Sequence, residues 1–205
     1  MISRRHLMAV SAVYAFAPRL SFAQAAGDAG AFVTEFAQKG IVDILAAKIP
    51  NAEKQQRFRT MFKTSFDLPT IGRFVLGRVT RTMKPEDLAA FTPLFEDVIV
   101  YTWSRRFSEY NGQSLKVGAS TADGEDGALV KSNIVGNAGE NYAVEWRLRK
   151  RPDGWKVVDV IVAGVSMAIT YRNEYNTIIA QQGGFQGLVA QLQKQVGEFK
   201  AQQPA

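Results

Sequence analysis

The chain contains no cysteine and one histidine, His6. Without cysteine there is no disulfide and no thiolate metal ligand, so even in an oxidising compartment stability has to come from packing. A lone histidine leaves no room for a histidine-built metal site and confines Ser-His-Asp or Cys-His catalysis to whatever His6 can reach. A membrane-length apolar run is also missing. The N-terminal apolar stretch, Leu7 to Phe16, is ten residues long, against the roughly 20 needed to cross a bilayer.

That stretch follows Arg4 and Arg5 and precedes the small-x-small tripeptide Ser21-Phe22-Ala23, the pattern of an export signal cleaved after residue 23. Ser3-Arg4-Arg5-His6-Leu7-Met8 approximates the twin-arginine export pattern as well, with Leu7 where the aromatic usually stands. The only histidine departs with this signal, which leaves carboxylate, lysine or tyrosine chemistry for any enzyme. Residues 24–205 then form the mature chain, 182 residues with no internal repeat and no second domain boundary, enough to bury a sizeable core. Loss of Arg4, Arg5 and Arg19 lowers the net charge from +6 to +3. With export from the cytoplasm and no arginine-aromatic reader motif, nucleic acid is not an expected partner.

Helical periodicity comes first. Asp28 suits a cap for a helix carrying Phe32, Val33, Phe36, Ile41, Ile44 and Leu45 and ending at Pro50; a second, after Asn51, carries Phe58, Met61 and Phe62. Asp67 suits the cap of a third, with Pro69 in its first turn and Gly77 at its end. A long helix opens at Pro85 with Glu86 and Asp87 in its first turn and runs toward Phe107. From Asn111 the period becomes two, and strands are expected over 114–119, 127–135, 141–150 and 155–162. Arg151-Pro152-Asp153-Gly154 is a turn between the last two. Ser166 is positioned to cap a helix reaching Gly183, and a final helix carries Phe185, Leu188, Leu192 and Val196. Segregated helices and an antiparallel meander predict an α+β domain, about four strands covered by about six helices.

Three stretches, "FDLPTIGRFVLGR" at 66–78, "FEDVIVYTWSRRFSEYNGQSLKV" at 95–117 and "VEWRLRKRPDGWKVVDVIVAGVSMAITYRNEYNTIIAQQGGFQGLVAQLQ" at 144–193, resemble the toluene-tolerance family. Its best-known members are the periplasmic phospholipid carriers of the Mla pathway. The likeness runs from about Ala29 to Gln193, and Trp155-Lys156 leading to Asp159-Val160, then Gly164-Val165-Ser166 and Tyr171-Arg172, are its most specific residues. One departure is local: Val79 and Thr80 follow the Leu76-Gly77-Arg78 triplet where members often carry tryptophan. The resemblance implies an NTF2-like domain with a curved sheet, no cofactor, and acyl chains held between sheet and helices. It further implies a carrier rather than an enzyme, passing lipid between an outer-membrane lipoprotein/porin complex and an inner-membrane ABC transporter complex with only transient membrane contact. A related branch accompanies hopanoid synthesis, so a hopanoid or other isoprenoid lipid is the alternative cargo.

For a cavity of this kind, the inward strand faces offer Val144, Trp146 and Leu148, then Val158, Val160 and Val162, followed by Val165, Met167 and Ile169 at the turn into the next helix. Helical candidates are Phe74, Val75, Phe95, Val98, Ile99 and Trp103. Plain core is the competing reading for each, since stripes of these residues at these periods usually just pack. Charge supplies a second feature: Lys39 to Lys84 carries an excess of seven positive charges. Arg57, Arg59, Lys63, Arg73, Arg78 and Arg81 are the candidates there for lipid phosphates or an acidic partner, against the alternative of a solvated helix face. A rival enzyme reading rests on Asp159, a lone carboxylate in "VVDVIV" that burial would turn into a general base. Alternation sets Asp159 opposite Val158 and Val160, where Arg147 or Arg149 is positioned to pair with it.

Overall fold

The structure, a computed structural model, describes residues 19–137 and 139–202. The expected signal lies outside the described residues except for its last five, which are helical. Helix α1 (Arg19–Lys39) begins well ahead of Asp28, because alanines at 23, 25, 26, 29 and 31 keep helix propensity high through Gly27. It passes directly into a π-helical turn, Gly40–Leu45, in which the Ala46 N–H reaches back five residues to the Ile41 carbonyl at 2.8 Å. The remaining helices are α2 (Asn51–Ser65), α3 (Leu68–Leu76), α4 (Pro85–Ser104), α5 (Met167–Gln181) and α6 (Gly184–Ala201). Asp67 caps α3, its Oδ1 accepting the Thr70 N–H at 3.1 Å, and Ser166 Oγ caps α5 by accepting the Ile169 N–H at 3.1 Å.

Between the helices runs an antiparallel meander in sequence order: β1 (Ser114–Ala122), β2 (Gly127–Val135), β3 (Asn141–Arg151), β4 (Gly154–Val162) and β5 (Val165–Ser166). The fold is α+β as expected. Its fifth strand is only two residues long, too short to leave an alternating pattern in the sequence. Gly154, at φ +116, makes the β3–β4 turn in a conformation that favours glycine.

The register of β3 against β4 carries an irregularity that strict alternation misses. Leu148 faces Val157 and Arg147 faces Asp159, so Val158 is an extra residue. The bulge switches the parity of β4. Trp155 and Val157 share a face with Leu148 before it; Val160 and Val162 share that same face with Trp146 and Val144 after it.

Buried side chains form two cores. One lies among the helices, around Phe91, Phe95, Val100, Tyr175 and Leu188; the other lies between α1 and the sheet, around Val33, Val130, Val144, Leu148 and Val157. Phe66, linking α2 to α3, packs against both, its ring 4.4 Å from that of Phe62 and 5.9 Å from that of Phe36. Among the described residues, Phe66 is the one hydrophobic side chain shared by the two cores.

Candidate functional site

The space between the cores is a cavity of about 640 Å³. Its helical walls come from Phe36 of α1, Ile41 and Ile44 of the π turn, Phe58, Met61 and Phe62 of α2, Ile71 of α3, Phe95 and Ile99 of α4, and Met167 and Tyr171 of α5. The sheet contributes Leu115, Ile134, Val144, Trp146, Val160 and Val162. Polar lining residues concentrate at one end, where Arg106, Glu109 and Tyr110 follow α4, Gln113 leads into β1 at Ser114, and Glu140 precedes β3. Trp103 and Tyr142 line the cavity there while remaining exposed, which marks this end as the mouth.

Of the apolar residues singled out in the sequence, Phe95, Ile99, Trp103, Val144, Trp146, Val158, Val160, Val162 and Met167 lie on the cavity wall. Six lie elsewhere. Val75, Val98 and Leu148 are buried in the two cores, because α4 is covered on more than one face and Leu148 sits before the bulge beside Trp155 and Val157. Phe74, Val165 and Ile169 are exposed and do not line the cavity. The wall also includes residues that periodicity could not separate from ordinary core: the π turn and the Phe58, Met61 and Phe62 stripe of α2. Their helical spacing is that of a packed face, and the sequence does not say that the face meets empty space.

Two polar arrangements hold the wall in shape. Trp146 Nε1 donates to Ser132 Oγ at 2.9 Å, and that hydroxyl donates to the Val144 carbonyl at 2.9 Å, so a buried indole N–H is satisfied without placing charge in the cavity. Tyr171 is kept protonated, burial pushing its pKa up to about 12. Asp159 touches the cavity, but its carboxylate is fully engaged. Oδ1 accepts the Ala168 N–H at 3.0 Å, Oδ2 accepts the Ser166 hydroxyl at 2.6 Å, and Arg147 Nη1 stands 3.7 Å from Oδ2. The carboxylate therefore ties the positive N-terminal end of α5 to the sheet edge and supports the wall carried by Met167 and Tyr171.

The basic residues divide. Arg57 pairs with Glu53 at 2.7 Å, Arg59 with Glu96 at 2.6 Å and Asp97 at 2.7 Å, and Lys63 lies 3.6 Å from Glu96. Arg73, Arg78 and Arg81 are exposed and have no carboxylate partner among the described residues.

Such a fold and site define a cavity-bearing α+β domain of the kind that shelters an apolar ligand. The chain belongs to the MlaC protein family, whose family model matches residues 37–194. It is similar to the toluene tolerance protein ttg2D of Pseudomonas putida, 27% identical over 52% of this chain and 49% of that protein, so this match spans about half of the relative. It is also similar to the intermembrane phospholipid transport system binding protein MlaC of Haemophilus influenzae, 23% identical over 79% of each chain. Among solved structures, a phospholipid-binding protein from Ralstonia solanacearum in complex with a phospholipid has the same fold, with a TM-score of 0.75 at 22% identity over 84% of this chain and 99% of that one.

Proposed function

We propose that the chain is a phospholipid-binding carrier. On this reading it is exported to the periplasm and takes phospholipid between an outer-membrane lipoprotein/porin complex and an inner-membrane ABC transporter complex. The observation that carries the reading is the apolar cavity between the two cores. Support comes from the family membership, from the intermembrane transport named for the Haemophilus relative, and from the phospholipid held by the Ralstonia protein of the same fold. That phospholipid also favours glycerophospholipid over an isoprenoid cargo.

The energetics explain why such a carrier would be useful. At about 0.8 kcal/mol per methylene, two acyl chains with roughly 30 methylenes disfavour water by something on the order of 20 kcal/mol. A lipid does not cross an aqueous space unaided against that. The carrier must nevertheless match a bilayer closely, since tighter binding prevents delivery and weaker binding prevents extraction. An apolar wall meets the condition by replacing hydrocarbon with hydrocarbon, with Phe95, Ile99, Trp103, Val144, Trp146, Val158, Val160, Val162 and Met167 against the tails and the headgroup at the polar mouth. Catalysis is disfavoured because the one carboxylate in an apolar strand is committed to α5.

Incubation with vesicles containing radiolabelled phospholipid tests the reading. After the vesicles are pelleted, label is expected in the supernatant with the protein, and it should pass to unlabelled acceptor vesicles added afterwards. Supernatant label no higher than with an unrelated protein contradicts the proposal.

A further inference from the structure

Three apolar side chains outside the cavity form one surface with arginines. Phe74, Val165 and Ile169 are 39%, 54% and 49% exposed, and none lines a cavity described above. Arg172 of α5 lies over the Phe74 ring, its guanidinium carbon 4.9 Å from the centroid. Where α3 ends, Gly77 at φ +62 fits against the same arginine: a Cβ there would stand 3.4 Å from Arg172 Nε and from the Asn176 amide. Ile169 sits one turn ahead of Arg172 on α5. Val165, four residues earlier, pairs with Val162, which pairs with Val144. Because directly opposed residues share a face, Val165 belongs to the cavity face of the sheet and continues the exposed row to the rim of the mouth. At the other end of the row, Arg73 precedes Phe74, and Arg78 and Arg81 follow in a 3₁₀ turn that aligns residues three apart. Glu174, the only acid of α5, is two residues from Arg172 and so projects from a different flank.

We propose that this surface docks the protein on an anionic phospholipid bilayer. Phe74, Val165 and Ile169 enter the headgroup layer while Arg73, Arg78, Arg81 and Arg172 meet lipid phosphates, and the cavity mouth beside Val165 is thereby turned toward the membrane. The inference rests on the carrier reading and adds the surface from which lipid is taken up or released. Charge complementarity selects the occupant: four arginines around exposed apolar points suit phosphates, which guanidinium groups bind through paired hydrogen bonds. The apolar residues stand on the outside of two helices and a strand edge, as insertion between headgroups requires.

Co-sedimentation of the full chain with vesicles of phosphatidylcholine alone, or of phosphatidylcholine mixed with phosphatidylglycerol, tests the proposal. The protein is expected to bind the anionic vesicles at least about tenfold more tightly than the neutral ones, and to lose that preference at high salt. The doubly charge-reversed variant Arg78→Glu/Arg81→Glu and the separate variant Phe74→Ser/Ile169→Ser should each weaken anionic-vesicle binding by about tenfold or more while keeping normal phospholipid content. Equal binding to both vesicle types, or variants that bind like the unaltered protein, overturns the inference. So does absence of vesicle binding by protein that carries its normal phospholipid, a result that leaves the carrier reading intact and assigns the surface to an acidic protein partner.

Discussion

Both oxygens of the Asp159 carboxylate are committed, one to the Ala168 N–H and the other to Ser166 and Arg147. Asp159→Asn should therefore behave as a structural change. It weakens the anchor of α5, with an expected loss of about 1–3 kcal/mol in urea unfolding, and it leaves phospholipid content unaltered. Ser132→Ala probes the other buried polar link. With the hydroxyl removed, Trp146 Nε1 loses its acceptor in a buried position, and a similar loss of about 1–3 kcal/mol is expected from the same measurement. Val160→Glu acts differently, because Val160 borders the cavity and is only partly buried. A carboxylate there places charge beside acyl chains, so the variant should fold, as judged by near-UV circular dichroism, yet carry little or no lipid.

At the scale of elements, α2 and α4 are joined through a buried charge. Glu96 is 7% exposed and is held by Arg59 at 2.6 Å with Lys63 farther off. Arg59→Met removes the main partner of a buried carboxylate and should cost about 3–5 kcal/mol, read as a lower urea midpoint. The elements themselves were largely legible in the sequence. Asp67 and Ser166 have short polar side chains ahead of apolar helical periods, and both cap as that pattern suggests; β2 spans the stretch its alternation marks. What escaped has physical reasons. The bulge at Val158 adds one β-branched residue to a run of them, so no change in composition reveals the switch in parity. The π turn follows the same apolar spacing as the helix before it. The cavity wall was legible only in part, because Ile99 and Val98 are adjacent, equally apolar and both buried, and only tertiary packing decides that the first meets the cavity and the second the helical core.

Across the whole molecule, ion pairs whose carboxylates respond to acid tie the start of α3 to the sheet, through Asp67 and Arg151, and fasten the β1–β2 turn to β3, through Asp123 and Arg149. Asp67 is pushed up by burial, but Arg151 and the Thr70 hydroxyl and N–H outweigh that and hold it below the usual carboxylate range; Arg149, opposed in part by burial, holds Asp123 below it too. A lowered folded-state pKa contributes stability above the unfolded value, about 3.9, and that contribution is lost as pH falls through the folded value. The urea midpoint should thus fall as pH drops from about 5 toward 3, and Asp67→Asn should flatten part of that slope. Lipid occupancy is the other whole-molecule variable. A ligand held only by the folded state stabilises it by mass action, so delipidated protein should melt at a lower temperature than loaded protein and recover on reloading.

The central claim is that the cavity between the two cores holds phospholipid, and native mass spectrometry of protein prepared from cells without detergent tests it most directly. The account predicts a mass excess that organic extraction resolves into glycerophospholipid, present in the unaltered protein and absent from Val160→Glu. A ligand-free mass for the unaltered protein that persists after incubation with phospholipid vesicles would contradict it.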